Sequence, residues 1–455
     1  MDIEKLKEVA CEAIDKAAED LAKLSHFIWS NPELAHEEFK AHDAVTEILD
    51  KYKFPQVDRK FILPTGFRAV CGDKAKGPHV ALLTEYDALP EIGHASGHNL
   101  IVESGVAIAI ALKACFEAAG QPFGKVSLLG TPAEEQRGGK LSFIKAQVFK
   151  DVDFAMTAHP SQYYISRPNY VAISEVTMHF TGVEAHAAEF PWEGVNALDA
   201  AILCYNNVSC MRQQLPPGWM LHGIVTDGGA RPNIIPRTAA LEYYIRTPKN
   251  RNLKKLEKML KNCVDGAALA TDCDVKMKLH STFLNLLTNE EMTKTYEENA
   301  SRLGIQTDTD KESILKKLGG STDVGNVSYE VPTIHPEFEI GADCNTHSMD
   351  FTTAADTSKS YVNHSLPDRP DFYRSIHLQK AHLVGESLGT VVFCMIHEIY
   401  THLKYIEEKL QDPMEDILCS RPCKRDGFQE KSRKKSAILP PKRWSHSQAS
   451  APSYD

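Results

Sequence analysis

The chain has 455 residues, 42% hydrophobic and 25% charged, enough for one large domain or two ordinary ones, which excludes wholesale disorder. Net charge is −10 but uneven, because the run from Arg421 to Arg443 carries a local +7 and leaves −17 for the rest. An acidic body of that kind argues against nucleic acid as a partner.

The first thirty residues alternate charged and apolar positions at helical spacing, predicting an amphipathic helix from Ile3 to Ile28 with no signal-peptide core. No later run approaches the ~18 uninterrupted apolar residues of a membrane helix. Val106–Cys115, broken by Lys113, reads as a buried core helix. A soluble chain with no membrane partner is therefore expected, located in the cytoplasm or also the nucleus. The eleven cysteines are scattered without a C-x-x-C pair and read as reduced thiols.

Three apolar runs follow, each predicting a buried parallel strand: Val80–Thr84, Val126–Leu129 and Phe154–Thr157. Helical patterns over Asn99–Ala119 and Gly139–Phe149 separate them, the alternation of an α/β sheet. From about Val171 the texture changes. Strand Glu175–Phe180, helix Gly194–Gln214, strands Met220–Val225 and Ala239–Ile245, a helix with apolar residues from Leu253 to Ala267, and strand Val275–Leu279 follow in order. This β-α-β-β-α-β succession predicts a ferredoxin-like insert of about 100 residues. The α/β texture then returns with helix Glu290–Leu303, the loop Gly319–Asn326, a strand near His335–Ile340 and helices from Asp371 to about Leu410. The predicted division is residues 1–170 and 283–411 as one discontinuous domain, 171–282 as the insert, and 412–455 as a disordered basic tail.

Four segments are rich in metal-ligand types: Glu85 to Asn99 (EYDALPEIGHASGHN), Thr131 to Glu135 (TPAEE), Ala158-His159-Pro160 and Asn345-Thr346-His347. Singly each is weak, since a lone His at a strand end is more often a satisfied histidine. Three of them, however, lie directly after predicted parallel strands, and ligands in open α/β sheets bind beyond the carboxyl ends of strands. Hydrolysis at a metal needs groups that hold the ion and a separate carboxylate that takes a proton from water. Adjacent glutamates can divide those tasks, and nearby divalent ions offset their repulsion.

The set EYDALP…GHASGHN, GTPAEE, AHP, GVEAHA, GG…PNIIP and a late His resembles the aminoacylase and hippurate-hydrolase branch of the zinc aminoacylase/carboxypeptidase metallopeptidases, over roughly residues 10–410. The resemblance implies a phosphorylase/hydrolase-like α/β domain with a mixed central sheet, and an inserted ferredoxin-like α+β lid and dimerisation domain. It implies two divalent metal ions, Zn²⁺ with Mn²⁺ or Co²⁺ as alternatives, held by His98, Glu135, His159, His347 and the residue at Ser96. Glu134 would be the general base and Asp87 the residue that orients a ligand. His186 would support the oxyanion, commonly in the active site of the partner subunit of a homodimer. Asn233, and more weakly Arg246, would hold the carboxylate end of the substrate. GTPAEE, PWEGVNALDAA and GGSTDVGNVS point within the branch to a dipeptidase group. Its substrates are small dipeptides ending in a basic residue, such as β-alanyl-lysine, β-alanyl-ornithine, γ-aminobutyryl-lysine and Xaa-Arg; N-acyl amino acids are the alternative.

One position departs from the branch, which normally carries Cys where this chain has Ser96. A neutral hydroxyl is a poor ligand beside a thiolate. Ser96 therefore leaves four outcomes open: one weakly held ion, a harder ion such as Mn²⁺, a water in place of the side chain as ligand, or a non-catalytic binding protein. Two decoys are set aside. His397 and His402 are five apart, off one helical face, and Gly93-His94-Ala95-Ser96-Gly97 misses the nucleophile elbow of serine hydrolases by one position.

Overall fold

The computed structural model describes residues 2–308 and 320–356. The expected helices after Asp371, the basic tail and the His397/His402 pair lie outside the described residues. Helix α1 (Ile3–Ser30) buries Leu6, Ala10, Ile14, Ala17, Leu21, Leu24 and Ile28, steps of three and four that make one continuous apolar stripe. Asp2 caps it by accepting a hydrogen bond from the Glu4 N–H. Helix α2 (Phe39–Lys51) packs beside it in the same core.

Strands β1 (Gln56–Arg59), β2 (Phe67–Gly72) and β3 (His79–Thr84) lead into helix α3 (His98–Ala118). Then come β4 (Lys125–Gly130), α4 (Gly139–Lys145), β5 (Phe154–Met156) and β6 (His159–Ser161). All six residues of β3 are buried, as expected of a strand covered on both faces of a sheet. Alpha-helix α3 is long and apolar enough to cross a membrane, but 89% of its apolar window is buried inside the fold. It is the core helix between α1 and the sheet.

The insert contains β7 (Ala172–Thr181), α5 (Ala197–Met211), β8 (Met220–Asp227), β9 (Thr238–Thr247), α6 (Leu253–Thr271) and β10 (Asp274–Phe283). Its sheet runs β10-β7-β9-β8, antiparallel throughout, which is the ferredoxin-like strand order the sequence pattern predicts. Asn196 starts α5 three residues later than Gly194–Gln214 suggested, accepting hydrogen bonds from Leu198 N–H (3.0 Å) and Asp199 N–H (3.3 Å); such a cap fixes where a helix begins. The two helices pack on one face around Val176, Leu241, Leu256 and Leu260.

The chain then returns through α7 (Glu290–Arg302), β11 (Thr333–Ile334) and β12 (Glu337–Glu339). The main sheet has the order β1-β2-β4-β3-β5-β11. Strands β4, β3, β5 and β11 are parallel, and β2 joins them antiparallel. The sheet is therefore mixed. The strand expected near His335–Ile340 is β12, paired with β6; the unexpected β11, paired with β5, precedes it, and Pro336, which has no N–H to donate, stands between the two.

Candidate active site

Two central strands and the start of one helix deliver most of the ionisable groups. Glu85, Tyr86 and Asp87 follow β3 directly and are buried. After β4 the chain turns sharply, with Ala133 in the left-handed region at φ 64°, a state that costs a non-glycine residue about 1–2 kcal/mol. Its N–H donates to the Glu38 carboxylate at 2.9 Å, and Thr65 donates to the other oxygen of that group at 2.8 Å. The Glu135 N–H donates to Asp87 Oδ2 at 2.9 Å. Gly139 closes the loop against Pro132, whose carbonyl oxygen would stand 1.8 Å from any Cβ there. The strained turn thus sets both Glu134 and Glu135 beside His98, with one ligand atom of each residue within 4.8 Å of the others.

His98 opens α3. Its Nδ1 lies 2.8 Å from the Asp87 carbonyl oxygen, which can only accept, so Nδ1 carries a proton and Nε2 is the nitrogen left to meet a cation. His159 repeats the arrangement, its Nδ1 lying 2.7 Å from the Pro160 carbonyl oxygen. The two rings meet edge to face with centroids 6.0 Å apart. His98 Nε2 and Glu85 Oε1 are buried without hydrogen-bond partners and lie 3.7 Å from each other. Leaving such atoms unpaired in a dry site costs free energy. A divalent cation among them would satisfy both, and a donor set of imidazole nitrogen and carboxylate oxygen suits zinc, manganese or cobalt.

The remaining expected ligands converge on Glu135. The Ser96 hydroxyl donates to its Oε1, and His347 Nε2 stands 3.5 Å from the same oxygen. The His347 N–H also donates to the Ala95 carbonyl at 2.9 Å, tying this late loop to the segment before α3. His347 is the exposed member, its side chain 58% accessible.

Charge polarises the cluster. Burial, together with the carboxylates of Glu85, Glu135 and Asp323, pushes the Glu134 carboxyl well above the usual range. Burial acts the same way on Glu135, but the His347 hydrogen bond and the charge of His98 outweigh it and hold that carboxyl at about 2. Burial and His98 depress His159 to about 4. For His98 burial opposes charge, yet Asp87, Glu85 and Glu135 prevail and raise it; the negative potential that favours a proton there favours a metal cation equally.

A cavity of about 650 Å³ separates these groups from the inserted sheet. Strand register places Glu175 opposite Tyr244, Tyr244 opposite His222, and Arg246 two residues further along β9. All four line the cavity, since alternate residues share a face. Arg246 is steadied by His222 Nε2 at 3.2 Å and by the Ser321 hydroxyl at 3.0 Å. His186 and Asn233 are elsewhere. Both are exposed, they neighbour each other through the Ala187 N–H to Asn233 carbonyl bond of 3.0 Å, and neither lines the cavity. Sequence reasoning missed Glu38 and Lys140 and gave Glu85 and Asp323 no role; the only local signal was that these two lie inside segments already singled out, Glu85–Asn99 and Gly319–Asn326.

Residues 172–272 match the peptidase dimerisation domain. The chain is 46% identical over 365 residues to the Xaa-Arg dipeptidase of Mus musculus, spanning 78% of this chain and 84% of that protein. The chain belongs to the M20 metallopeptidase family. The Xaa-Arg dipeptidase of Homo sapiens is 43% identical over 374 residues, 79% of this chain and 85% of that one. A dinuclear metal-binding M20 peptidase from Bacillus subtilis shares the fold at TM-score 0.59 and 17% identity, over 83% of this chain and 99% of its own. As an M20 hydrolase the chain therefore pairs a mixed α/β sheet with an antiparallel dimerisation domain. Its candidate metal groups are His and Glu side chains at the carboxyl edge of that sheet.

Proposed function

We propose that this M20 hydrolase cleaves the amide bond of small dipeptides ending in a basic residue, of the Xaa-Arg and β-alanyl-lysine type, with Glu134 as general base. The observation that carries the reading is the Glu134 carboxyl, buried against other carboxylates at a cavity wall beside His98. A base is most effective when its pKa lies near the working pH, and burial beside like charges is how a carboxylate reaches that range. Two divalent cations at His98, His159, Glu135, His347 and Ser96 would supply positive charge that acidifies water and polarises the scissile carbonyl. Glu134 would take the proton from the attacking water and return it to the departing amine. Asp87 would keep His98 in the tautomer whose Nε2 faces the site.

Substrate recognition follows from the inserted sheet. Arg246 presents a cation to the carboxylate of the leaving residue, and Glu175, on the same cavity-facing row, presents an anion to its basic side chain. The exposed His186 and Asn233 lie in the dimerisation domain, and we assign them to the active site of a partner subunit in a homodimer, where His186 would donate to the oxyanion and Asn233 would meet the substrate carboxylate.

The test is a hydrolysis panel of β-alanyl-lysine, Xaa-Arg dipeptides and N-acyl amino acids, run in Zn²⁺ and in Mn²⁺. Turnover of the basic dipeptides, lost in Glu134→Gln, is the expected result. Cleavage of the acyl amino acids alone overturns the substrate, and a folded, metal-loaded protein that turns over nothing overturns the enzyme.

A further inference from the structure

Glu85 sits at the centre of a buried ionic network that none of the expected roles uses. One carboxylate oxygen, Oε2, accepts a hydrogen bond from Lys140 Nζ, which also reaches Asp323 Oδ1 at 2.7 Å. Asp323 Oδ2 accepts from the Lys140 backbone N–H at 3.0 Å. The side chains of Lys140, Glu85 and Asp323 are at most 1% exposed. Burying one ammonium and two carboxylates costs several kcal/mol per ion before their attraction is counted, so the network is an expensive way to fill space. It also leaves a surplus of one negative charge.

That surplus has a direction. Lys140 engages Oε2, leaving Oε1 of Glu85 without a hydrogen bond and 3.7 Å from the equally unpartnered Nε2 of His98. Ligand atoms of Glu85, His98 and His159 all lie within 4.8 Å of one another, so a small inward shift of these side chains would let one ion touch all three at the roughly 2.0–2.2 Å typical of zinc. Ser96 offers only a neutral hydroxyl, itself hydrogen-bonded to Glu135. An anionic oxygen from Glu85 supplies the charge that the hydroxyl does not.

We propose that Glu85 completes a cation site with His98 and His159, and that Lys140, braced by Asp323, is the positioning residue that holds its carboxylate there. The assignment rests on the metallohydrolase reading above and adds a ligand and its support to it. Lys140 touches neither substrate nor ion; it acts through Glu85.

The experiment measures ion binding and not turnover. Full-length protein is stripped with a chelator and titrated with Zn²⁺ and Mn²⁺ against a chromophoric competitor, and bound metal is counted by mass spectrometry. Glu85→Gln, nearly the same shape, should lose one equivalent or weaken one binding step about tenfold or more. His159→Ala should affect the same step, and the double variant should show less than the sum, as expected of residues sharing one ligand. Lys140→Met should weaken that step while leaving its metal preference unchanged. Should Lys140→Met fail to fold by circular dichroism, Lys140→Arg and the charge-balanced pair Lys140→Met with Asp323→Asn carry the test. A parent protein that binds ions while Glu85→Gln binds the same number equally tightly overturns this assignment alone. A parent that binds no ion overturns it together with the proposed function.

Discussion

His98 meets Asp87 twice through one ring nitrogen: Nδ1 lies 2.8 Å from the backbone oxygen and 3.2 Å from the carboxylate of Asp87. The carboxylate also accepts the Glu135 N–H at 2.9 Å. A single residue thereby fixes the orientation of an imidazole and of a carboxylate that face the same space. Asp87→Ala keeps the carbonyl contact but removes both carboxylate contacts. We expect a 10–100-fold loss of metal affinity, the range typical of groups that orient ligands, with the fold retained by circular dichroism. Unchanged affinity in chelator competition would remove Asp87 from the site.

Glu134→Gln tests the base. Its shape is preserved and its proton acceptor is lost, so kcat should fall by about 10²–10⁴-fold while bound metal is unchanged. The sign of the parent's pH dependence follows from the raised carboxyl of Glu134. The ionised form is the active one, so kcat/KM should fall as pH drops and Glu134 takes up its proton, at a pH that burial raises and bound cations lower. A kcat/KM that does not fall toward acid pH, or a full-strength Gln variant, contradicts the assignment.

Ser96→Cys asks what the hydroxyl does. A thiolate is a softer and stronger ligand, and it would replace the hydroxyl that now donates to Glu135. Zn²⁺ affinity should rise by more than Mn²⁺ affinity, a shift in selectivity of about tenfold or more. Equal changes for both ions, read by the same competition titration, would show that position 96 does not contact metal.

Much of the fold was readable because it is written locally. The apolar stripe of α1 and the buried run of β3 each sit within a few dozen consecutive residues, and every strand and helix of the β-α-β-β-α-β insert is itself a short local pattern. Helix α2 went unseen: its N-cap position, Glu38, makes no side-chain cap bond because that carboxylate is spent on Ala133 and Thr65. The site was legible only in part for a similar reason. His98, Glu134, Glu135 and His159 follow or begin regular elements and stand in motifs, whereas Lys140 and Asp323 meet across 183 residues, a pairing no local pattern encodes. Likewise, sequence gave no means to see that His186 and Asn233 neighbour each other outside the cavity.

Glu103 supplies a stability prediction away from the site. It lies buried on α3, with Ser25 as hydrogen-bond partner, and burial pushes its carboxyl from 4.5 to about 7. Its folded value is raised, so its contribution is fully present below the unfolded value and is lost as pH rises through the folded one. Between pH 4.5 and 7 the parent should therefore lose stability progressively. Gln resembles the neutral acid and does not titrate. Glu103→Gln should match the parent near pH 4.5 and exceed it at pH 8 by up to ~3 kcal/mol. Urea denaturation at the two pH values measures the difference, and a constant gap would show that Glu103 is not the titrating group.

Arg246 is the group on which the choice between a substrate carboxylate and an ordinary structural arginine can be decided. Burial disfavours its charge, and its neighbours His222 and Ser321 leave that charge without a carboxylate partner among the hydrogen bonds it makes. A substrate carboxylate would provide one, and hydrogen bonds between charged groups contribute about 1.5–3 kcal/mol. Arg246→Ala should thus lower kcat/KM about 10–100-fold for a dipeptide with a free carboxylate, mainly by raising KM, because the contact is made in ground and transition states alike. The same dipeptide with its carboxylate amidated should already be a poor substrate for the parent and lose little further in the variant. If Arg246→Ala instead slows both substrates equally, the arginine serves the packing of β9 and Ser321, and the substrate carboxylate binds elsewhere.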